Sequence, residues 1–150
     1  MSRSNPVSGW LPITAFAIAF AFVEAACAIS LKALYYPGGW KPPFHALPGT
    51  ANLIEQAREI ATLVMIASAA AASRPAPREW LARALWIFGL WDLGYYVFLR
   101  WLTGYPTGLF DLDLVFLVPI VWVFPVWVAI VVSVASLLLA LKLHASVRRR

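Results

Sequence analysis

The chain has 150 residues, 62% of them hydrophobic and 13% charged, with a formal net charge of +5. A soluble domain of this size is about 45–50% apolar and about 25% charged, so a water-soluble monomer, a disordered tail and a secreted disulfide scaffold are excluded. Cys27 is the single cysteine, which rules out an internal disulfide and any C-x-x-C metal or redox motif. The basic residues lie beside apolar runs, unlike the basic patches of a nucleic-acid binder.

A membrane-crossing helix needs about 20 mostly apolar residues to span about 30 Å of hydrocarbon. The first such run is 11–33. Arg3, an apolar run and Ala25-Ala26-Cys27 have the outline of a lipoprotein signal. Glu24 and the continuation of the run past Cys27 instead predict a retained helix. Prolines and glycines at 36–44 and 47–49 predict an ordered outer loop. The second run is 52–72, with Asn52 and Glu55 placed as an N-capping pair. Residues 73–78 form a short turn into the third run, 80–102, and 104–108 break the chain after it. Asp111 or Asp113 can cap the next helix.

The last run, 114–143, is longer than one crossing and is interrupted by Pro119 and Pro125. Proline removes a backbone donor and breaks or kinks a helix. The prediction is a short interfacial or re-entrant lead-in at 114–118 and a crossing at 121–142. The last helix would be kinked, or preceded by a short interfacial helix, at Pro119/Pro125. A straight tilted helix from Asp113 is the alternative. The fold expected is an all-α membrane protein, a single four-transmembrane-helix bundle over 1–150.

Basic residues near helix ends set orientation. Arg3, Arg74, Arg78, Arg83, Lys142, Arg148, Arg149 and Arg150 fall on one side, and Lys32, Lys41 and Arg100 on the other. Both termini are therefore expected in the cytoplasm. Trp10, Trp40, Trp80 and Trp101 fall where an interfacial aromatic belt would.

Ionisable groups inside a membrane are costly and persist where they face a partner or a watery cavity. Glu24, Glu59 and Asp92 lie on three different helices, within about 5 Å of one another in depth at ~1.5 Å per residue. Glu55, Arg58, Glu59 and Thr62 follow helical spacing and form one polar stripe, and Asp92, Tyr96 and Arg100 form another, flanked by Tyr95. Ala17, Ala21, Ala25 and Ala28 lie on or beside the Glu24 face, where small residues let backbones approach. The pattern predicts an outward-opening acidic pocket of Glu24, Glu59, Asp92, Tyr95 and Tyr96, with Arg58 as counter-charge and Asp111 and Asp113 at its mouth. A purely structural network, with Arg58 neutralising Asp92 or Glu24, is the competing reading. One arginine does not neutralise three carboxylates, so a proton or a ligand is needed.

His45 and His144 fall on opposite sides of the membrane, which excludes a shared haem or zinc. A carboxylate-only site would suit Mg²⁺, Ca²⁺ or Mn²⁺, but the sequence assigns no metal and implies no cofactor. Cys27, one turn from Glu24, reads as a small buried filler. No nucleophile-elbow, P-loop or H-E-x-x-H motif is present.

Glu24-Ala-Ala-Cys-Ala-Ile-Ser-Leu-Lys32 resembles the first helix of the small multidrug resistance transporters, which carry a membrane glutamate followed eight residues later by a lysine. That resemblance covers about ten residues and implies proton-for-cation exchange at Glu24. This chain is longer and adds Glu59 and Asp92. Trp91-Asp92, Tyr95-Tyr96, Gly104-Tyr-Pro, Asp113-Leu114, Phe116-Leu117, Pro119, Trp122 and Pro125-Val126 resemble a family of uncharacterised small bacterial four-helix membrane proteins, over about residues 88–127. That resemblance implies one fold unit in a bacterial inner membrane and no particular activity.

The functional expectation is binding or transport of a cation or protonatable small molecule, with the lipid bilayer as partner and no nucleic acid. Four helices rarely enclose a full path, so a transporter would be a homodimer or part of a larger membrane complex. A membrane enzyme using carboxylate acid–base chemistry on a lipid-like substrate, or an accessory subunit, is the alternative.

Overall fold

A computed structural model describes residues 10–39 and 43–148, the side chain of 148 excepted. Arg3, Lys41, Arg149 and Arg150 of the expected charge asymmetry, and Trp40 of the expected aromatic belt, lie outside the described residues. Four helices and one two-stranded ribbon follow in the order α1 (Trp10–Tyr35), α2 (Thr50–Ala71), α3 (Pro77–Thr103), β1 (Leu112–Phe116), β2 (Trp122–Pro125) and α4 (Val126–Arg148). At ~1.5 Å per residue each helix is about 33–40 Å long.

The third helix is the hub. It packs along α1 and α4 and more sparsely against α2, whereas α1 and α2 barely touch. Small residues make the close approaches. Ala17, Ala21 and Ala25 on α1 are fully buried. A methyl group on Gly94 would come within 2.7 Å of the Ala21 Cβ. One on Gly89 would come within 2.8 Å of the Ser133 carbonyl oxygen on α4. Ile13, Phe20, Ile66, Ile87 and Trp91 fill the core between these contacts.

One end of the bundle is tied by a polar cluster. Glu79 accepts hydrogen bonds from Trp10 Nε1 at 3.1 Å and Arg83 Nε at 3.2 Å, and His144 Nδ1 lies 2.9 Å from its other oxygen. The Trp10 ring lies against both His144 and Trp86. Because Trp10 and Glu79 begin their helices and His144 nears the end of its own, α1 and α3 run parallel and α4 runs against them.

Three local expectations are corrected. First, neither a kinked helix nor an interfacial helix precedes α4. Residues 112–125 form an antiparallel hairpin, with Leu112 opposite Pro125, Leu114 opposite Val123 and a register slip between Leu114 and Phe116. Val115, Val118, Ile120, Val121 and Val123 are β-branched, and Phe116, Trp122 and Phe124 are aromatic, a composition suited to a pleated surface. Pro119 sits at the tip and Pro125 at the open end, where a missing donor costs little. The crossing predicted from 121 starts instead at Val126. Second, Asn52 does not cap α2. The helix starts at Thr50 behind Gly49, whose φ of 54° is the left-handed region, and no side chain caps it. Third, neither Asp111 nor Asp113 caps α4 with its side chain, although the Asp111 backbone carbonyl accepts the Val126 amide at 2.9 Å. Asp111 accepts from the Thr107 amide and hydroxyl and the Gly108 amide, closing the turn before the hairpin, and Asp113 lies buried in β1.

Among the described residues, two helices, α1 and α4, are long and apolar enough to cross a membrane. Large apolar side chains are exposed on all four helices, among them Phe22, Leu63, Val97 and Leu138. Apolar exposure on this scale marks contact with lipid or protein.

Candidate functional site

Beyond the hub, the space between α1, α2 and α3 is closed at one end by the hairpin. It holds a partly open cavity of ≈ 90 Å³, room for a few waters or one small solute. Its walls carry Glu24, Lys32, Glu55, Arg58, Glu59, Asp92, Tyr95, Tyr96 and Asp113. The three carboxylates that the sequence places at one depth thus line one space, with Arg58, both tyrosines, Glu55 and Asp113. The two remaining candidates do not. Arg100 turns to the loop after α3, donating to the carbonyls of Gly104 and Pro106. Asp111 is spent on its own turn, and its carboxyl is held below the usual range by hydrogen bonds from the Thr107 hydroxyl and amide.

The helical stripe on α2 explains the centre of the site. Arg58 is the hinge of a three-residue bridge. Its Nε donates to both Glu55 oxygens at 3.0 and 2.9 Å, its Nη2 also meets Glu55, and its Nη1 meets Glu24 on α1. It does not pair with Asp92. Thr62 donates back to the Arg58 carbonyl at 3.1 Å, one turn further along the helix. A planar guanidinium suits this task, because its fork reaches two carboxylates at once.

Glu59 faces the hairpin. Both its oxygens accept the Leu117 amide at 2.9 Å, and Gln56 Nε2 donates to the Leu117 carbonyl at 3.0 Å. The tip of the hairpin is therefore held at two points on α2. Asp92, one helix over, accepts the Ser133 hydroxyl of α4 at 2.5 Å. Tyr96 lies beside the Asp113 carboxyl, and its ring meets Tyr95 edge-on at 5.0 Å.

Lys32 also belongs to the site, beyond the residues that the sequence pattern singles out. It lines the cavity two turns beyond Glu24, lies in the field of Asp113 and places its Nζ 4.3 Å from the Tyr105 ring centre. Its spacing of eight from Glu24 is the signal that points to it. Ser133 and the Leu117 amide carry no such signal, since both depend on long-range packing. The cavity as a whole sets five carboxylates against two cations.

A second, open groove runs between α1 and α2. Phe22, Val23, Ala26, Cys27, Ser30 and Leu31 form its α1 wall, and Glu55 and Arg58 form its α2 side. Cys27, expected as a small buried filler, is half-buried there. Among the described residues no group of three or more His, Cys, Asp or Glu side chains is arranged to hold a metal. Compared with protein-family models, with curated proteins and with solved structures, the chain finds no match.

Proposed function

We propose that the chain is a polytopic membrane protein that binds or transports a cation or a protonatable small molecule at the Glu24–Glu59–Asp92 cavity. The observation that carries this reading is the imbalance of five carboxylates and two cations around one cavity. In a poorly hydrated space such an excess is met by protons or by a bound cation. Glu24, Glu59 and Asp92 hold the charge, Arg58 tunes Glu24 and Glu55, and Tyr95 and Tyr96 orient the ligand.

In this reading all four helices cross the bilayer. The charges of α2 and α3 turn largely inward, leaving apolar faces for lipid. The end carrying Arg74, Arg78, Arg83 and Lys142 faces the cytoplasm of a bacterial inner membrane, with both termini on that side. A transporter of this size works as a homodimer or within a larger complex.

Acid–base catalysis on a lipid-like substrate is less well supported. The carboxylate reached from the open groove is Glu55, and Arg58 already engages both of its oxygens.

The test is proton release from purified, weakly buffered protein on adding Na⁺, K⁺, NH₄⁺ or methylammonium. At least one is expected to release protons from the wild type and much less from Glu24→Gln and Asp92→Asn. Equal release from all three proteins would refute the coupled-carboxylate site.

A further inference from the structure

The groove between α1 and α2 has its own polarity. Val23, Ala26, Cys27 and Ser30 follow i, i+3, i+4, i+7 spacing and form one face of α1, with Phe22 and Leu31 beside it. On the α2 side, the groove is lined by Glu55 and Arg58. Those two lie five and eight residues into α2, about 8–12 Å from its outer end at ~1.5 Å per residue. Ser30 and Leu31 lie at a similar depth on α1, whereas Phe22 and Val23 lie about 18–20 Å in, near mid-bundle. The groove is therefore charged towards the outer end and apolar towards the middle, the polarity of a lipid standing in the outer leaflet.

The charges point to a headgroup. Glu55 and Arg58 are bonded to each other, and Arg58 is shared with Glu24, so two carboxylates surround one guanidinium. An anionic headgroup would meet a surplus of negative charge. A headgroup bearing a phosphate and an ammonium matches both members of the pair. Among the described residues, three of the five Arg58 N–H donors are engaged by Glu24 and Glu55. Two remain for phosphate oxygens. Its side chain keeps 28% of its surface exposed. Arg58 takes three of the about four acceptor sites of the Glu55 carboxylate, and an ammonium makes a charge-assisted hydrogen bond at the one left.

We propose that this groove binds a zwitterionic phospholipid of the outer leaflet, its headgroup on Glu55 and Arg58 and one acyl chain along Ala26, Val23 and Phe22. The groove measures ≈ 440 Å³ and is open along its side, which suits a chain entering laterally from the bilayer. The bound lipid seals the seam that α1 and α2 leave between them. It rests on the membrane reading of the fold and not on what the inner cavity binds.

Vesicles of equal parts phosphatidylethanolamine and phosphatidylglycerol test this, with the lipid retained on the extracted protein read by native mass spectrometry. The wild type is expected to keep phosphatidylethanolamine about tenfold over phosphatidylglycerol. Ala26→Trp, which fills the groove, and Ser30→Trp, which blocks its exposed upper end without touching the core, are expected to lose that lipid. Leu138→Trp, on the exposed face of α4, is expected to keep it. Retention that follows the bulk composition, preference for phosphatidylglycerol, or retention unchanged in a folded Ser30→Trp protein would each overturn the proposal.

Discussion

The amide of Leu117 donates to both carboxylate oxygens of Glu59, at 2.9 Å each, across 58 residues of sequence. Leu117 is buried, as is Glu59. A hairpin whose tip enters a helical bundle leaves backbone groups beyond its own ladder, and here a side chain meets them. Glu59→Ala therefore strands a buried N–H and should destabilise the protein by about 1–3 kcal/mol. Glu59→Gln keeps an acceptor and should lose less. Unfolding by sodium dodecyl sulfate in mixed micelles, with protease cleavage within 117–121 as a local probe, measures both.

Arg58→Ala leaves Glu24 and Glu55 facing each other without their counter-charge. Breaking a buried pair costs about 3–5 kcal/mol, and the partial exposure of Arg58 puts the expected loss near the lower figure. Arg58→Lys keeps the charge but cannot span two carboxylates and should fall between. The same unfolding titration ranks the three proteins. A lysine variant as stable as the wild type would show that charge, not the fork, is what matters.

At the other end of the bundle, Glu79 joins three helices. Glu79→Ala removes the acceptor for Trp10 and Arg83 and the partner of His144. A double-mutant cycle of Glu79→Ala with His144→Ala should give a coupling of about 1 kcal/mol. Additive losses would mean that the contact holds nothing.

Gly89→Ala should cost about 1–3 kcal/mol by overpacking. Its methyl would lie 2.7 Å from Leu137 Cγ and 2.8 Å from the Ser133 carbonyl. The backbone of α4 must then move, and with it the Ser133 hydroxyl that Asp92 accepts. The variant should therefore alter cation-induced proton release as well as stability, although Gly89 does not line the cavity.

The turn of Thr107–Asp111 should loosen in acid. Hydrogen bonds from Thr107 hold the Asp111 carboxyl below its ordinary value, about 3.9. A carboxyl depressed in the folded state gives stability that is present above that ordinary value and lost as pH falls through the folded one. Protection factors of the Thr107 and Gly108 amides, which correct for the pH dependence of intrinsic exchange, should stay constant around neutral pH and fall only below about pH 4. In Asp111→Ala they should be low throughout.

Periodicity and energetic cost decide how much of this architecture is legible in the sequence. The helices at 11–33, 52–72 and 80–102 are readable to within three residues because long apolar runs with breakers between them allow little else. That Glu24, Glu59 and Asp92 line one space is readable because charge at one depth on three helices needs a common interior. The hairpin is not readable. Its short apolar strands carry no period that separates strand from helix, and Pro119 and Pro125 suit either a kinked helix or a turn. The Arg58 bridge is only half readable. Spacing puts Glu55 and Arg58 on one face, but no local signal chooses Glu24 over Asp92 as the third member. Ser133 and Leu117 are invisible because each becomes a partner only once the tertiary fold exists.

The Arg58 bridge also bears on how the chain assembles as it is made. Glu24 and Arg58 are 34 residues apart on consecutive helices, so Glu24 finds its counter-charge within one helical hairpin. Glu59 and Asp92 wait longer, for the Leu117 amide and for Ser133. In chain order, one ion pair joins α1 to α2, α3 then packs against both, and the ribbon and α4 complete the polar contacts. Truncation after α3 should give a product whose Glu59 and Asp92 lack these partners, and that membrane quality control removes faster than the full chain.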